Sequence, residues 1–174
     1  MLKIAAVTVA ILLASLLAYA STKPDTFQVQ RTLRIDAPAE KIAPFLNDFH
    51  RWGAWSPYEK LDPAMQRSFS GSASGVGAVY AWEGNSKAGA GRMEILETSP
   101  SRTRIQLDFQ KPFECHNVAE FTLEENGGAT NVTWAMHGPN PYLTKVMSTF
   151  FDMDKMVGRD FEAGLANLKA IVEG

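Results

Sequence analysis

Apolar and polar residues alternate over most of the chain. From Thr26 to Asp36, Phe27, Val29, Leu33 and Ile35 fall on one side and Gln28, Gln30, Thr32 and Arg34 on the other. Period two is the signature of a half-buried strand, and Arg31 alone breaks the inward row. Ala37-Pro38-Ala39-Glu40 opens a short helix through Leu46, and a second, aromatic-rich piece runs from Phe49 to Trp55. Six strands are then expected, at Arg67–Gly71, Ala78–Gly84, Gly89–Thr98, Thr103–Gln110, Cys115–Glu125 and Thr130–His137. Gly-, Pro-, Ser- and Asn-rich turns separate them. Those turns are too short for helical crossovers, so the strands form an antiparallel meander.

The alternation also assigns faces. Met93 and Ile95, Ile105 to Phe109, Ala119 to Leu123, and Val132 to Met136 each contribute an inward set at every second residue. Their polar neighbours, such as Arg92, Gln106, Glu120 and Thr133, face water. At Asn140 the period changes. Asn140 is expected to cap a helix whose first position is Pro141. From there Leu143, Val146, Met147, Phe150, Met153, Val157, Phe161, Leu165, Leu168 and Ile171 recur at three- and four-residue steps. An unbroken helix of this length would run roughly 48 Å, against a domain radius of gyration of about 15 Å. A break is therefore expected, at Gly158 or in Phe151–Asp154. One greasy helix face and one greasy sheet face call for each other, which predicts an α+β domain.

The N-terminus follows neither period. After Met1-Leu2-Lys3, the run Ile4–Ala20 carries no charge, close to the lower limit of about 17 residues for spanning a bilayer. Ala18-Tyr19-Ala20 also reads as a signal-peptidase site. Two readings stand: a transmembrane anchor with the domain extracytoplasmic, or a signal peptide cleaved on export. Residues 1–20 are then a membrane-directed segment, 21–25 a linker, and 26–174 one folded domain.

Composition narrows the function classes. Lys and Arg number 17 against 19 Asp and Glu, a net charge of −2 with no basic cluster, so no nucleic-acid partner is expected. The single cysteine rules out an internal disulfide and a cysteine-rich zinc site, and three dispersed histidines make no metal cluster. No cofactor is expected. Cys115-His116 cannot form a dyad, because adjacent strand residues point to opposite faces. The Gly75-Val76-Gly77 and Gly89-Ala90-Gly91 stretches complete no phosphate-binding spacing and read as turns.

Four stretches carry a family resemblance: Arg51-Trp52-Gly53-Ala54-Trp55-Ser56-Pro57-Tyr58, Gly75–Trp82, Gly89–Ile95 and Gly158–Lys169. With the element order, they resemble the START-related, helix-grip superfamily abbreviated SRPBCC, in its polyketide cyclase/dehydrase and lipid-transport branch. The resemblance implies a curved seven-stranded antiparallel sheet wrapped around a long C-terminal helix, with two short helices after the first strand. It also implies a cavity between sheet and helix that holds a lipid-like or polyketide-like molecule. On this chain the expected lining is Trp55, Tyr80, Trp82, Met93, Leu107 and Phe109, then Asn117, Phe121, Trp134 and Met136, with Phe150, Phe161 and Leu165 from the helix. Arg31, Cys115 and Asn117 are the inward polar positions, and Arg31 and Asn117 join the lining as groups that orient a ligand.

Three functions compete. The first is non-catalytic binding or carriage of a hydrophobic small molecule, with the N-terminal segment in a membrane. The second is a cyclase- or dehydratase-type enzyme using Glu83, Arg31 or Asp160 in the same cavity. The third is an envelope interaction protein, which an exposed apolar patch around Trp52 and Trp55 would favour.

Overall fold

The computed structural model describes residues 2–174. A helix α1 (Leu2–Ser21) precedes strand β1 (Thr26–Ile35), helix α2 (Ala39–Leu46), a 3-10 turn (Phe49–Arg51), helix α3 (Trp52–Trp55) and a second 3-10 turn (Pro57–Lys60). Strands β2 (Gln66–Gly71), β3 (Ala78–Glu83), β4 (Ala90–Ser99), β5 (Arg102–Lys111), β6 (Cys115–Asn126) and β7 (Ala129–Pro139) follow. Helices α4 (Tyr142–Met147) and α5 (Met153–Glu173) complete the chain. The seven strands form one antiparallel sheet in the order β1-β7-β6-β5-β4-β3-β2. The meander and the assigned faces are those the alternation predicted: Ile95, Ile105, Ala119, Phe121, Val132 and Trp134 are all buried.

Helix α5 presents Gly158, Phe161, Leu165 and Leu168 as its buried stripe, at three- and four-residue steps. Gly164, beside that stripe, lets the backbone come down onto the sheet. A Cβ there would stand 2.7 Å from Trp134 Cζ3 and 3.1 Å from Pro57 Cδ. Contacts between α5 and β1 run from one end of the helix to the other. Arg31 meets Asp154 and Glu162, the Lys169 ammonium donates to the Arg34 carbonyl, and the Asp36 amide donates to Glu173.

One expectation about the C-terminal segment is corrected, and the structure decides between the two alternatives of another. Asn140 does not cap a helix. Its amide donates to the Asp25 carbonyl (2.7 Å) and its side chain to the Pro24 carbonyl (3.0 Å), tying β7 to the linker before β1. Pro141, in extended conformation, takes the cap position instead. The break lies at Ser148–Asp152, overlapping the Phe151–Asp154 alternative, and Gly158 sits inside a continuous α5. Asp152 explains the restart, because its carboxylate accepts from the Lys155 amide at 3.0 Å. Gly158 serves close approach: a Cβ there would overlap the Arg31 guanidinium.

Helix α1 is long and apolar enough to cross a membrane by length and composition, and nearly all of it is exposed. Its C-terminal end is anchored to α4. Tyr142 Oη donates to the Leu17 carbonyl at 2.8 Å, and Lys23 Nζ lies 2.9 Å from Ser148 Oγ.

Candidate ligand site on the concave face of the sheet

Strand register orders the inward side chains into rows across the sheet. The lowest holds Cys115, Phe109, Gly91 and Trp82. Above it lie Phe27, Gly138, Asn117, Leu107, Met93 and Tyr80, and then Val29, Met136, Ala119, Ile105 and Ile95. The fourth row holds Arg31, Trp134, Phe121 and Thr103.

The fourth row is filled by aromatic packing. Trp134 stacks on Phe161 with centroids 4.1 Å apart and planes 9° from parallel. Trp55 meets Trp134 edge-on at 5.4 Å and Phe121 at 5.9 Å, both favoured ring geometries. Trp55 is fixed further by its indole donating to the Phe45 carbonyl (3.0 Å), while Asn167 donates to the Trp55 carbonyl (3.0 Å). This tier, with Phe161 of α5 stacked on Trp134, holds α5 against the sheet, and its members are buried in packing rather than lining an open chamber.

Burial loosens toward the lower rows. Leu107 and Met136 each retain 9% exposure, and Phe27, Phe109, Trp82 and Cys115 are only half-buried. Tyr80 is sealed by its hydroxyl donating to Glu59 at 2.6 Å, and Glu59 in turn pairs with Arg67. Burial, followed by the Glu59 carboxylate, pushes the Tyr80 phenol well above its usual range. Trp82 donates its indole N–H to the Ala88 carbonyl at 3.0 Å.

Asn117 is the polar group within this region. It is 5% exposed, its Nδ2 reaches only the Cys115 sulfur at 3.7 Å, and its Oδ1 has no partner among the described residues. A buried, unpaired amide oxygen costs on the order of 1–3 kcal/mol. Trp134 Nε1, two rows above, is likewise buried without a partner among the described residues. Burial raises the Cys115 thiol above its ordinary value, so it is a poor nucleophile. His116, on the opposite face as strand alternation requires, pairs with Asp108 at 2.8 Å.

Several expected site residues lie elsewhere. Arg31 does not point a free guanidinium at a ligand. Its Nε bonds Glu162 at 2.8 Å, its Nη2 bonds the Asp154 carboxylate and carbonyl at 3.0 Å, and its Nη1 bonds Asp154 and the Gln30 carbonyl. Arg31 is a clamp between β1 and the start of α5. Phe150 falls in the turn between α4 and α5 and is 68% exposed, because the helix breaks before it can turn inward. Trp52 and Trp55 form no surface patch. Both are buried, Trp52 against Phe49 and Phe121.

The three groups considered for catalysis are dispersed. Glu83 is at the end of β3, paired with Lys111 at 2.6 Å, which holds its carboxyl below the usual range. Asp160 borders a shallow recess of about 420 Å³ with Phe150, Phe151, Asp152, Lys155, Met156 and Arg159. Burial raises its carboxyl above the ordinary value, an effect the neighbouring Tyr58 hydroxyl opposes. Burial and Asp160 together push the Tyr58 phenol up strongly. The Tyr58–Asp160 pair went unnoticed in the sequence, since nothing in local spacing joins residues so far apart. Phe27 and Cys115 were also left out of the lining, although alternation in β1 and β6 already placed them inward.

The family model described as "Polyketide cyclase / dehydrase and lipid transport" matches residues 26–173. Comparison with curated proteins finds no match. Among solved structures, the chain is similar to the di-domain ARO/CYC BexL of the BE-7585A biosynthetic pathway (TM-score 0.63, 15% identity). That match covers 90% of this chain and 53% of BexL. Protein CV1439 from Chromobacterium violaceum is similar at TM-score 0.58 and 16% identity, covering 87% of this chain and 99% of that one. Ara h 8.0201 is similar at TM-score 0.56 and 12% identity, with 84% and 97% covered. At these identities the likeness concerns the fold.

Proposed function

This chain belongs to the polyketide cyclase/dehydrase and lipid-transport family of the SRPBCC superfamily, and from that premise we propose that it binds a hydrophobic small molecule without chemistry of its own. The ligand lies on the lower rows of the concave sheet face, against Leu107, Met93, Met136, Phe109 and Trp82. Helix α1 holds the domain at a membrane. The observation that carries the reading is Asn117, a buried carboxamide whose oxygen packs against Gly138 and has no hydrogen-bond partner among the described residues, at the level where burial gives way to the half-buried Phe27, Phe109 and Cys115. The two best-formed recesses lie elsewhere, one lined by Pro38, Ala39, Glu40, Ala43, Pro100 and Glu125 and the other by Phe150 to Asp160. The ligand is therefore admitted by movement of the half-buried lower-row side chains, toward the apolar lining with one polar group that is usual for a small-molecule site. A ligand hydroxyl or amide N–H donating to Asn117 Oδ1 would remove the unpaired-group penalty and fix the ligand's orientation.

The same geometry disfavours the enzymatic reading. Neither Glu83, Arg31 nor Asp160 lies on the rows around Asn117, and the first two are committed to ion pairs. The test is mass spectrometry of the full-length chain extracted in mild detergent. A stoichiometric apolar molecule should co-purify, and Asn117→Leu should lower its occupancy while the chain stays folded. Repeated preparations of bare protein that also take up no fatty acid, sterol or aromatic polyketide would refute the proposal.

A further inference from the structure

The rows on which the ligand is proposed to lie are at one particular end of the sheet. Thr26, the first residue of β1, pairs with Pro139, the last of β7, and Phe109 near the end of β5 pairs with Cys115 at the start of β6. The looser end of the concave face is thus the end where α1 enters and α4 leaves. The opposite end carries the β6–β7 turn at Asn126–Ala129.

This entry end exposes large apolar side chains that none of the other described residues covers. Leu143 is 62% exposed, and Met147, Phe150 and Phe151 stand beside it on α4 and the turn that follows. Phe113, 66% exposed, comes from the β5–β6 loop at the same end of the sheet. Solitary exposed apolar residues need no explanation, whereas several at one end of the fold, Phe150 and Phe151 among them lining a recess with Met156, do.

What covers the set follows from its neighbour. Helix α4 is bonded to the last turn of α1 through Tyr142 and Leu17, and Ser148 holds Lys23. Lys145, buried, pairs with Asp25 in the linker. Exposed Tyr19 carries Lys23 Nζ at 5.5 Å over its ring, the aromatic-plus-cation pairing typical of a bilayer interface. If α1 occupies the hydrocarbon, these short bonds fix α4 at headgroup depth.

We infer that α4, the α4–α5 turn and Phe113 form a bilayer-contacting surface, and that the mouth of the concave face opens onto the lipid leaflet from which α1 emerges. An apolar ligand then passes between leaflet and protein without crossing water. The inference rests on α1 being membrane-embedded, as proposed above. Apolar side chains at the headgroup–acyl boundary are the recognised way for a surface segment to lie in an interface.

The test uses the full-length chain, in a Cys115→Ala background, reconstituted into phosphatidylcholine vesicles with and without doxyl-labelled acyl chains. A nitrobenzoxadiazole probe is attached singly at Phe150→Cys, Asn126→Cys or Leu12→Cys, with near-ultraviolet circular dichroism confirming the fold of each. The expected result is strong quenching at position 150 by shallow doxyl groups, at least about five times that at position 126, with position 12 quenched by deep ones. Quenching at 12 but not at 150 would overturn the inference while leaving the anchor intact. Absence of quenching at both would overturn the anchor and the inference together. A blue-shifted but unquenched probe at 150 would assign the patch to a protein partner and likewise overturn it.

Discussion

Replacing Gly164 by Ala sets two opposed effects against each other, and the structure decides between them. Alanine is the better helix former by about 0.8–1.0 kcal/mol, and in an exposed helix the substitution would stabilise. Here the added methyl would stand 2.7 Å from Trp134 Cζ3, 3.1 Å from Pro57 Cδ and 3.5 Å from Trp55 Cζ3. Trp134 cannot yield, because Phe161 stacks on one side of it while Trp55 and Phe121 close on it from others. Overpacking of this kind costs about 1–3 kcal/mol, and a neighbour so confined places it near the upper limit. The expected balance is a net loss of about 1–2 kcal/mol, or a fall in Tm of about 2–8 °C for a domain of this size. Gly158→Ala is the matched control. Its methyl meets the Arg31 guanidinium, the flexible end of a long side chain, which can swing aside at the loss of its solvent-screened bonds to Asp154 and Glu162. That loss offsets the helix-propensity gain, so Gly158→Ala should lie within about 0.5–1 kcal/mol of the parent. Thermal and urea unfolding of the full-length chain in detergent, followed by circular dichroism, measures both. If Gly164→Ala raised Tm as an ordinary helix Gly→Ala does, α5 would not be seated on the aromatic tier, and the account of the grip would fail.

Leu107→Trp should fill the lower rows and reduce co-purifying ligand at least about tenfold with Tm within a few degrees of the parent; undiminished ligand would place the site elsewhere. Arg31→Met removes the ion pairs to Asp154 and Glu162 and should lower stability slightly while leaving ligand occupancy unchanged, as urea unfolding and mass spectrometry would show. A loss of ligand without loss of stability would return Arg31 to the binding site. Asp160 gives a pH signature. Its carboxyl is raised above 3.8 by burial, so the folded state holds the proton more tightly than the unfolded one, and Asp160's contribution to stability falls as pH rises through that window. Asp160→Asn should therefore stabilise relative to the parent at neutral pH, with the difference vanishing below pH about 3–4; a difference that grew on acidification would contradict this.

Most of the fold was legible because strand alternation is a local code. Val29, Ile105, Phe121 and Trp134 each announce their face through their immediate neighbours, and Phe161, Leu165 and Leu168 do so at helical spacing. Long-range polar pairing was not legible. Arg31 looked like a polar group inside an apolar row, and only the fold shows Asp154 and Glu162 arriving from the far end of the chain to engage it. Of the two places expected for the helix break, the structure takes the one overlapping Phe151–Asp154 and keeps the helix intact through Gly158. Its missing side chain makes room for Arg31, while the restart is encoded by the Asp152 cap. Phe150 kept the helical period but lay in the turn, so periodicity alone sent it inward. Trp52 and Trp55 lie on a helix of one turn, where no period can be read, and only the rings they meet declare them buried.

The claim that a ligand occupies the lower rows of the concave face is tested most directly by methyl nuclear magnetic resonance of the full-length chain in detergent. Leucine and methionine methyls are labelled, and the apolar molecule recovered from the protein is titrated into the delipidated chain. The account predicts saturable shifts and intermolecular Overhauser contacts at Leu107, Met93 and Met136, with Leu168 beyond the aromatic tier unmoved. Shifts confined to Leu143 and Met147 on the outer face, or absent from the interior methyls altogether, would contradict it.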